Sequence, residues 1–173
     1  MLRKKDFYKM KGLRDTMIRE NERREKMCLF FVSDYHFEMI SMPYISENLK
    51  RNKKIVIITE NNLDDSVQKV LSNVNLEEEQ KNRIMNINWN NNDVDKFREI
   101  QNANKENRNL VIFVKGRENY IDNINNNINN WINNQEAKVI DCYDINEVYE
   151  DVNNIAQRYD KILSTSGVEK LLK

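Results

Sequence analysis

Met27-Cys28-Leu29-Phe30-Phe31-Val32-Ser33-Asp34-Tyr35-His36 is an apolar run closed by small and polar residues, and a helical pattern follows it. That is how the first strand and first turn of an open α/β sheet read. The strand is taken as Cys28–Val32 and the helix as Phe37–Arg51, with Met39, Ile40, Tyr44, Ile45 and Leu49 as its buried stripe. Pro43 falls inside the stripe. It must kink the helix or start a new one with Ser41 as cap.

Downstream the rhythm repeats. Lys54–Thr59 (KIVIIT) and Leu110–Lys115 (LVIFVK) are continuous apolar runs, as expected of parallel strands covered on both faces. Helices are predicted over Leu63–Val74, Leu76–Asn82, Val94–Asn102, Tyr120–Ile132 and Ile145–Tyr159. Further strands are predicted at Ile84–Trp89, Ala137–Tyr143 and Lys161–Leu163, with a closing helical turn in Gly167–Leu172. Strands that alternate with helices imply right-handed βαβ units. The expected fold is α/β, a three-layer, mainly parallel sheet flanked by helices, RecA-like or Rossmann-like without a Walker A loop.

Upstream, residues 1–26 carry ten Lys/Arg against five Asp/Glu. Phe7, Met10, Leu13 and Met17 recur there at helical spacing. This predicts a basic amphipathic helix over 1–26, packed on its own domain, used for docking or dimerisation, or lying on a membrane surface or nucleic acid, ahead of an α/β domain over 27–173.

Bulk properties narrow the function. The chain of 173 residues holds 28 Lys+Arg and 28 Asp+Glu, and this balance argues against a general nucleic-acid binder. Cys28 and Cys142 each lie in a strand-like block, as buried reduced thiols would; a disulfide needs the two strands to be neighbours. One histidine and no CxxC leave a zinc site without support. No signal-peptide core or membrane span is expected, so the chain reads as cytoplasmic.

In open α/β sheets the ligand crevice lies beyond the carboxyl ends of the strands. The candidates there are Ser33, Asp34, Tyr35 and His36, then Glu60, then Lys115, Arg117 and Glu118, then Tyr143 and Asp144. A phosphate site would need glycines in the first turn so that backbone amides can approach the anion. The chain has three glycines, Gly12, Gly116 and Gly167, and none is in that turn. Asp34 also has the wrong charge for phosphate. ATP hydrolysis and dinucleotide redox chemistry are therefore disfavoured. Asp34 and His36 lack the third member of a hydrolase triad, and the turn reads first as a helix cap. Lys115 and Arg117 could hold an anionic group, and the aromatics around them would suit a small organic ligand. No catalytic residue, metal site or cofactor is assigned.

The order of the blocks resembles the MEDS domain, the methanogen and methylotroph sensory family. The matching blocks are Met27-Cys28-Leu29-Phe30-Phe31, the proline turn Met42-Pro43-Tyr44-Ile45, the strand Lys54–Thr59, the loose Gly116, Glu118, Tyr120 group and Cys142-Tyr143-Asp144. The resemblance covers about 27–172. It implies a RecA/KaiC-like core that has lost its phosphate loop and acts as a non-enzymatic sensory or regulatory domain. The implied partners are a histidine kinase, a sigma-type factor or a transcription regulator, with a small organic ligand as a further input and homodimerisation as a further option. The rival is a nucleotide- or metabolite-binding enzyme that uses Asp34, His36, Glu60 and Asp144.

Overall fold

The structure is a computed structural model, and it describes residues 25–132 and 137–172. The helix expected around Phe7, Met10, Leu13 and Met17 lies outside the described residues. Strands β1 (Lys26–Phe31), β2 (Lys54–Thr59), β3 (Leu110–Gly116), β4 (Ala137–Asp144), β5 (Lys161–Ser164) and β6 (Gly167–Lys170) form one sheet. Its order is β2-β3-β4-β1-β5-β6, parallel throughout except for the antiparallel β5–β6 pair.

Helices α1 (Asp34–Lys50), α2 (Asp64–Asn73) and α3 (Glu78–Met85) cover one face. Helices α4 (Asp93–Lys105), α5 (Glu118–Trp131) and α6 (Val152–Ala156) cover the other. The period-2 alternation of strand side chains divides the apolar residues between two cores. Val111, Phe113, Ile140 and Cys142 enter the first, while Ile112, Val114, Cys28 and Tyr143 enter the second. This is the expected three-layer α/β architecture. The chain leaves β1 over the first face and leaves the neighbouring β4 over the second, so the two connections part to opposite faces of the sheet between these strands. That is where an open sheet places its crevice.

The structure corrects five local expectations. Met39, expected in the buried stripe of α1, is 39% exposed. Helix α1 runs unbroken from Asp34 to Lys50 with Pro43 inside it, so no new helix starts at Ser41. Pro43 is exposed, and its ring needs no room in the core. Ile84–Trp89 is not a strand. Ile84 ends the helical stripe of α3, and Trp89 plugs the core from a loop, its indole N–H donating to the Ile84 carbonyl at 2.9 Å. The ammonium of Lys96 holds this loop against the edge strand β2 by donating to the carbonyls of Ile57, Asn88 and Asn90. Burial draws that amine down to about 8.

Ile145–Tyr159 is not one helix either. Asp144 and Asp151 each cap a new start, accepting from the amides of Asn146 (2.9 Å) and Asn153 (2.7 Å), which leaves a 3-10 turn at Ile145–Glu147 and the short α6. Side chains that bond the local backbone this way compete with continuous helix. The tail forms strand β6 in place of a helical turn, and Gly167 makes the hairpin with φ of 96°.

Cys28 and Cys142 do sit on neighbouring strands, in the register Cys28↔Asp141 and Leu29↔Cys142. Their side chains enter opposite cores. Both are free and buried, so the fold rules out a disulfide between them.

Candidate functional site

The site is built at the carboxyl ends of β1, β2 and β3. Helix α1 starts there because Ser33 is extended and its hydroxyl accepts from the His36 amide at 3.1 Å. The His36 ring turns back, and its Nδ1 accepts from the Val32 amide at 3.1 Å. Ser33 and His36 therefore act as the cap. Tyr35 projects into solvent at 57% exposure.

Asp34, in the first turn of α1, meets Lys115 from the end of β3. The Lys115 Nζ donates to Asp34 Oδ1 at 2.8 Å and to Asn61 Oδ1 at 2.9 Å. The Asn61 amide closes the ring by donating to Asp34 Oδ2 at 3.0 Å. Thr59 holds Asn61 in place by donating to its backbone carbonyl at 2.8 Å. The ammonium also lies 4.8 Å from the Phe31 ring centre and 5.5 Å from that of Phe37, close enough for cation–π attraction. Lys115 is 4% exposed in its side chain against 42% for Asp34, so the cation lies inside and its counter-charge faces the mouth. The crevice is thus filled by the chain's own ammonium.

A second carboxylate lies behind the ring. Glu38, one turn after Asp34 on α1, has no exposed surface and accepts from the Ser66 hydroxyl of α2. Its Oε2 is buried without a partner. Burial pushes the Glu38 carboxyl up, helped by the charge of Asp34 and opposed by Ser66 and Lys115.

The rim is a separate pair. Glu60 accepts from the Arg117 guanidinium at 2.6 and 2.9 Å and from the Arg117 backbone amide at 2.9 Å. These bonds hold the Glu60 carboxyl below its ordinary range. The junction depends on Gly116, where a Cβ would lie 2.6 Å from the Tyr120 ring and 2.9 Å from Glu60 Oε2.

The remaining candidates lie elsewhere. Glu118 is buried at the start of α5 and accepts from the Tyr149 amide at 3.2 Å. Tyr143 packs into the second core, stacked on Phe30 and bonded to the Tyr159 hydroxyl. Asp144 caps the turn after β4. Of the ten sequence candidates the structure therefore joins Asp34 and Lys115 in one network and Glu60 and Arg117 in another. Sequence reasoning missed Asn61 and Glu38. For Glu38 a signal existed, since it falls at helical spacing among Phe37, Ser41, Met42 and Ile45, all buried.

Among the described residues no group of three or more His, Cys, Asp or Glu is placed to hold a metal ion. No described helix is long and apolar enough to cross a membrane. No family model, no curated protein and no solved structure matches this chain.

Proposed function

We propose that the chain is a non-enzymatic sensory or regulatory domain of the cytoplasm, acting in signalling or transcription control through contact with another protein, as the resemblance to the sensory family implies. One observation carries this reading. The crevice where an open α/β sheet would seat a phosphate is filled by the Lys115–Asp34–Asn61 ring. An anionic ligand entering there would have to strip Lys115 from Asp34 and then face the freed carboxylate.

Around the same end of the sheet lie exposed apolar side chains, Val32 (52%), Tyr35 (57%) and Met39 (39%) after β1, with Ile145 (39%) and Tyr149 (88%) after β4. The Asn146 side chain ties the two groups together by donating to the Val32 carbonyl at 3.2 Å. A fringe of this kind suits protein contact better than bare solvent. The partner class is a histidine kinase, a sigma-type factor or a transcription regulator.

Two measurements test the proposal. Thermal-shift assays with ATP and magnesium should show no stabilisation; a large shift that Asp34→Ala abolishes would favour the enzyme reading instead. Pull-down from a cognate lysate should recover a regulator of the stated class, and Tyr35→Asp with Met39→Asp should remove it while leaving the fold intact.

A further inference from the structure

Asp141 stands in the middle of β4, on the face covered by α5, and only 6% of it is exposed. Its Oδ2 accepts from the Tyr159 hydroxyl at 2.6 Å and from the Asn125 side-chain amide at 2.8 Å. Because the Tyr159 proton points at Asp141, the 2.5 Å contact between Tyr143 and Tyr159 must be donated by Tyr143. A two-tyrosine relay therefore ends on one oxygen of this carboxylate. The other oxygen, Oδ1, is buried and has no hydrogen-bond partner.

A packing role does not account for this arrangement. A buried carboxylate with a vacant oxygen destabilises a strand that Val or Thr would satisfy. The strongest cationic help is the pull of Lys26, the weakest of the influences on the group. Asp141 also borders a cavity of about 240 Å³ between the sheet, α5 and the segment after α6. Ile128, Val139 and the two tyrosines line it, together with the carboxylates of Asp122 and Glu25 and the cations Lys26 and Arg158.

We propose that this cavity is a binding site for a small organic ammonium ion, with the Asp141 carboxylate as its counter-charge. The ammonium pairs with the carboxylate, whose Oδ1 must turn out of its buried position to accept from it, and its remaining positive field lies against the faces of Tyr143 and Tyr159, where cation–π attraction adds to the pairing. The hydrocarbon part of the ligand packs on Ile128 and Val139. An anion is disfavoured because Asp141, Asp122 and Glu25 outnumber Lys26 and Arg158 in the lining. A hard metal ion would want several oxygen ligands, and the described residues bring no such set together. Arg158 at the rim is already engaged by Glu150 and Glu118. The site is separate from the strand-end ring and does not depend on the regulatory reading.

The test is calorimetric titration of the full chain with n-butylamine and benzylamine, against n-butanol and benzyl alcohol as neutral counterparts. At about pH 7.5 the amines should bind at least about tenfold tighter than the alcohols, the factor expected of one charge-assisted bond. Asp141→Asn keeps the shape and removes the charge, and should abolish that preference. A second readout needs no variant. Burial pushes the Asp141 carboxyl up to about 6. Near pH 5 an ammonium must therefore displace a proton, and amine affinity should fall about tenfold from its plateau above about pH 7.

The groups facing Asp141 are Asp122 and Asn125 from α5, Tyr143, Cys28 and Lys26 from the sheet, and Tyr159 and Arg158 from the segment after α6. Cys28, Tyr143 and Tyr159 are all shifted upward and stay neutral in this window. Against the pull of burial, Arg158 is raised by its acidic neighbours and stays charged. Equal binding of amine and alcohol, no binding below about 10 mM, an amine preference that survives in folded Asp141→Asn, or affinity constant with pH would each overturn the proposal.

Discussion

Lys115 and Asp34 are unequal partners, and the inequality predicts unequal mutants. Removing Asp34 leaves an ammonium inside the protein with Asn61 as its remaining hydrogen-bond acceptor, two aromatic rings beside it and the Glu38 carboxyl within electrostatic reach. Asp34→Ala should cost about 2–3 kcal/mol, less than a fully buried pair broken from one side because Asn61 still accepts. Removing Lys115 leaves a carboxylate already 42% exposed that can rehydrate, so Lys115→Met should cost about 1 kcal/mol or less. The double variant should then be more stable than Asp34→Ala alone. Urea denaturation checks the order, and the account fails if Lys115→Met proves the worse single change. Asp141 gives a prediction with a pH sign. Its carboxyl sits at about 6 in the fold against an ordinary 3.8, so ionisation is harder folded than unfolded. The resulting destabilisation is absent below about pH 4, grows between about 4 and 6, and is full above 6, on the order of 3 kcal/mol. Asp141→Asn cannot ionise. It should melt several degrees above the parent at neutral pH, with the gap closing toward pH 4; a gap independent of pH would show that the carboxyl is not shifted.

Among the elements, α1 carries the most conflict. It supplies the cap, Asp34 and Glu38, and it also holds Pro43, which has no amide to offer the Met39 carbonyl. Because Pro43 is exposed, nothing in the packing requires it, and a helix-interior proline is disfavoured by about 3 kcal/mol relative to alanine. Pro43→Ala should raise the urea midpoint, equivalent to about 1–3 kcal/mol, with an unchanged denaturant slope. A lower midpoint would mean that the proline shapes the helix for packing. The same helix ends on Asn52, at φ of 59°, and α4 ends similarly at Asn107, at φ of 52°. Asn tolerates the left-handed conformation that closes a helix, so part of this chain's asparagine wealth serves as helix stops in place of its scarce glycine.

Across the whole molecule the sheet isolates its two thiols from each other and from solvent. Burial pushes Cys28 up to about 12 and raises Cys142 as well, and both lie where the sheet is covered by helices on both sides. Thiolate is the reactive form, so both groups should be inert while the fold persists. In native buffer, reaction with a disulfide chromogen such as DTNB should follow unfolding, both thiols appearing in one phase; in denaturant both should react at once. One thiol reacting natively at the rate of free cysteine would contradict the burial. The open edges are handled differently. Lys96 and the loop around Trp89 cover β2, while β6 presents Glu169 and Lys170, charges that discourage edge pairing.

The sequence alone determined the alternation of strands and helices, and with it the three-layer sheet, because short apolar runs rich in β-branched residues, such as KIVIIT and LVIFVK, suit a covered parallel strand better than a buried helix. It also determined that no glycine loop follows β1. It did not determine the fates of Ile84–Trp89 and Ile145–Tyr159, where apolar spacing fitted a regular element but a core-plugging tryptophan and two capping aspartates decided otherwise. The candidate site was half legible. Strand ends can be numbered from sequence, yet which of them meet depends on the strand order, and that order alone brings Lys115 to Asp34 and Asn61, 81 and 54 residues away. Asp141 was the least visible. Inside a strand its carboxylate is one more letter of AKVIDCYD, and only the packing of α5 and Tyr159 over it creates both the cavity and the vacant oxygen.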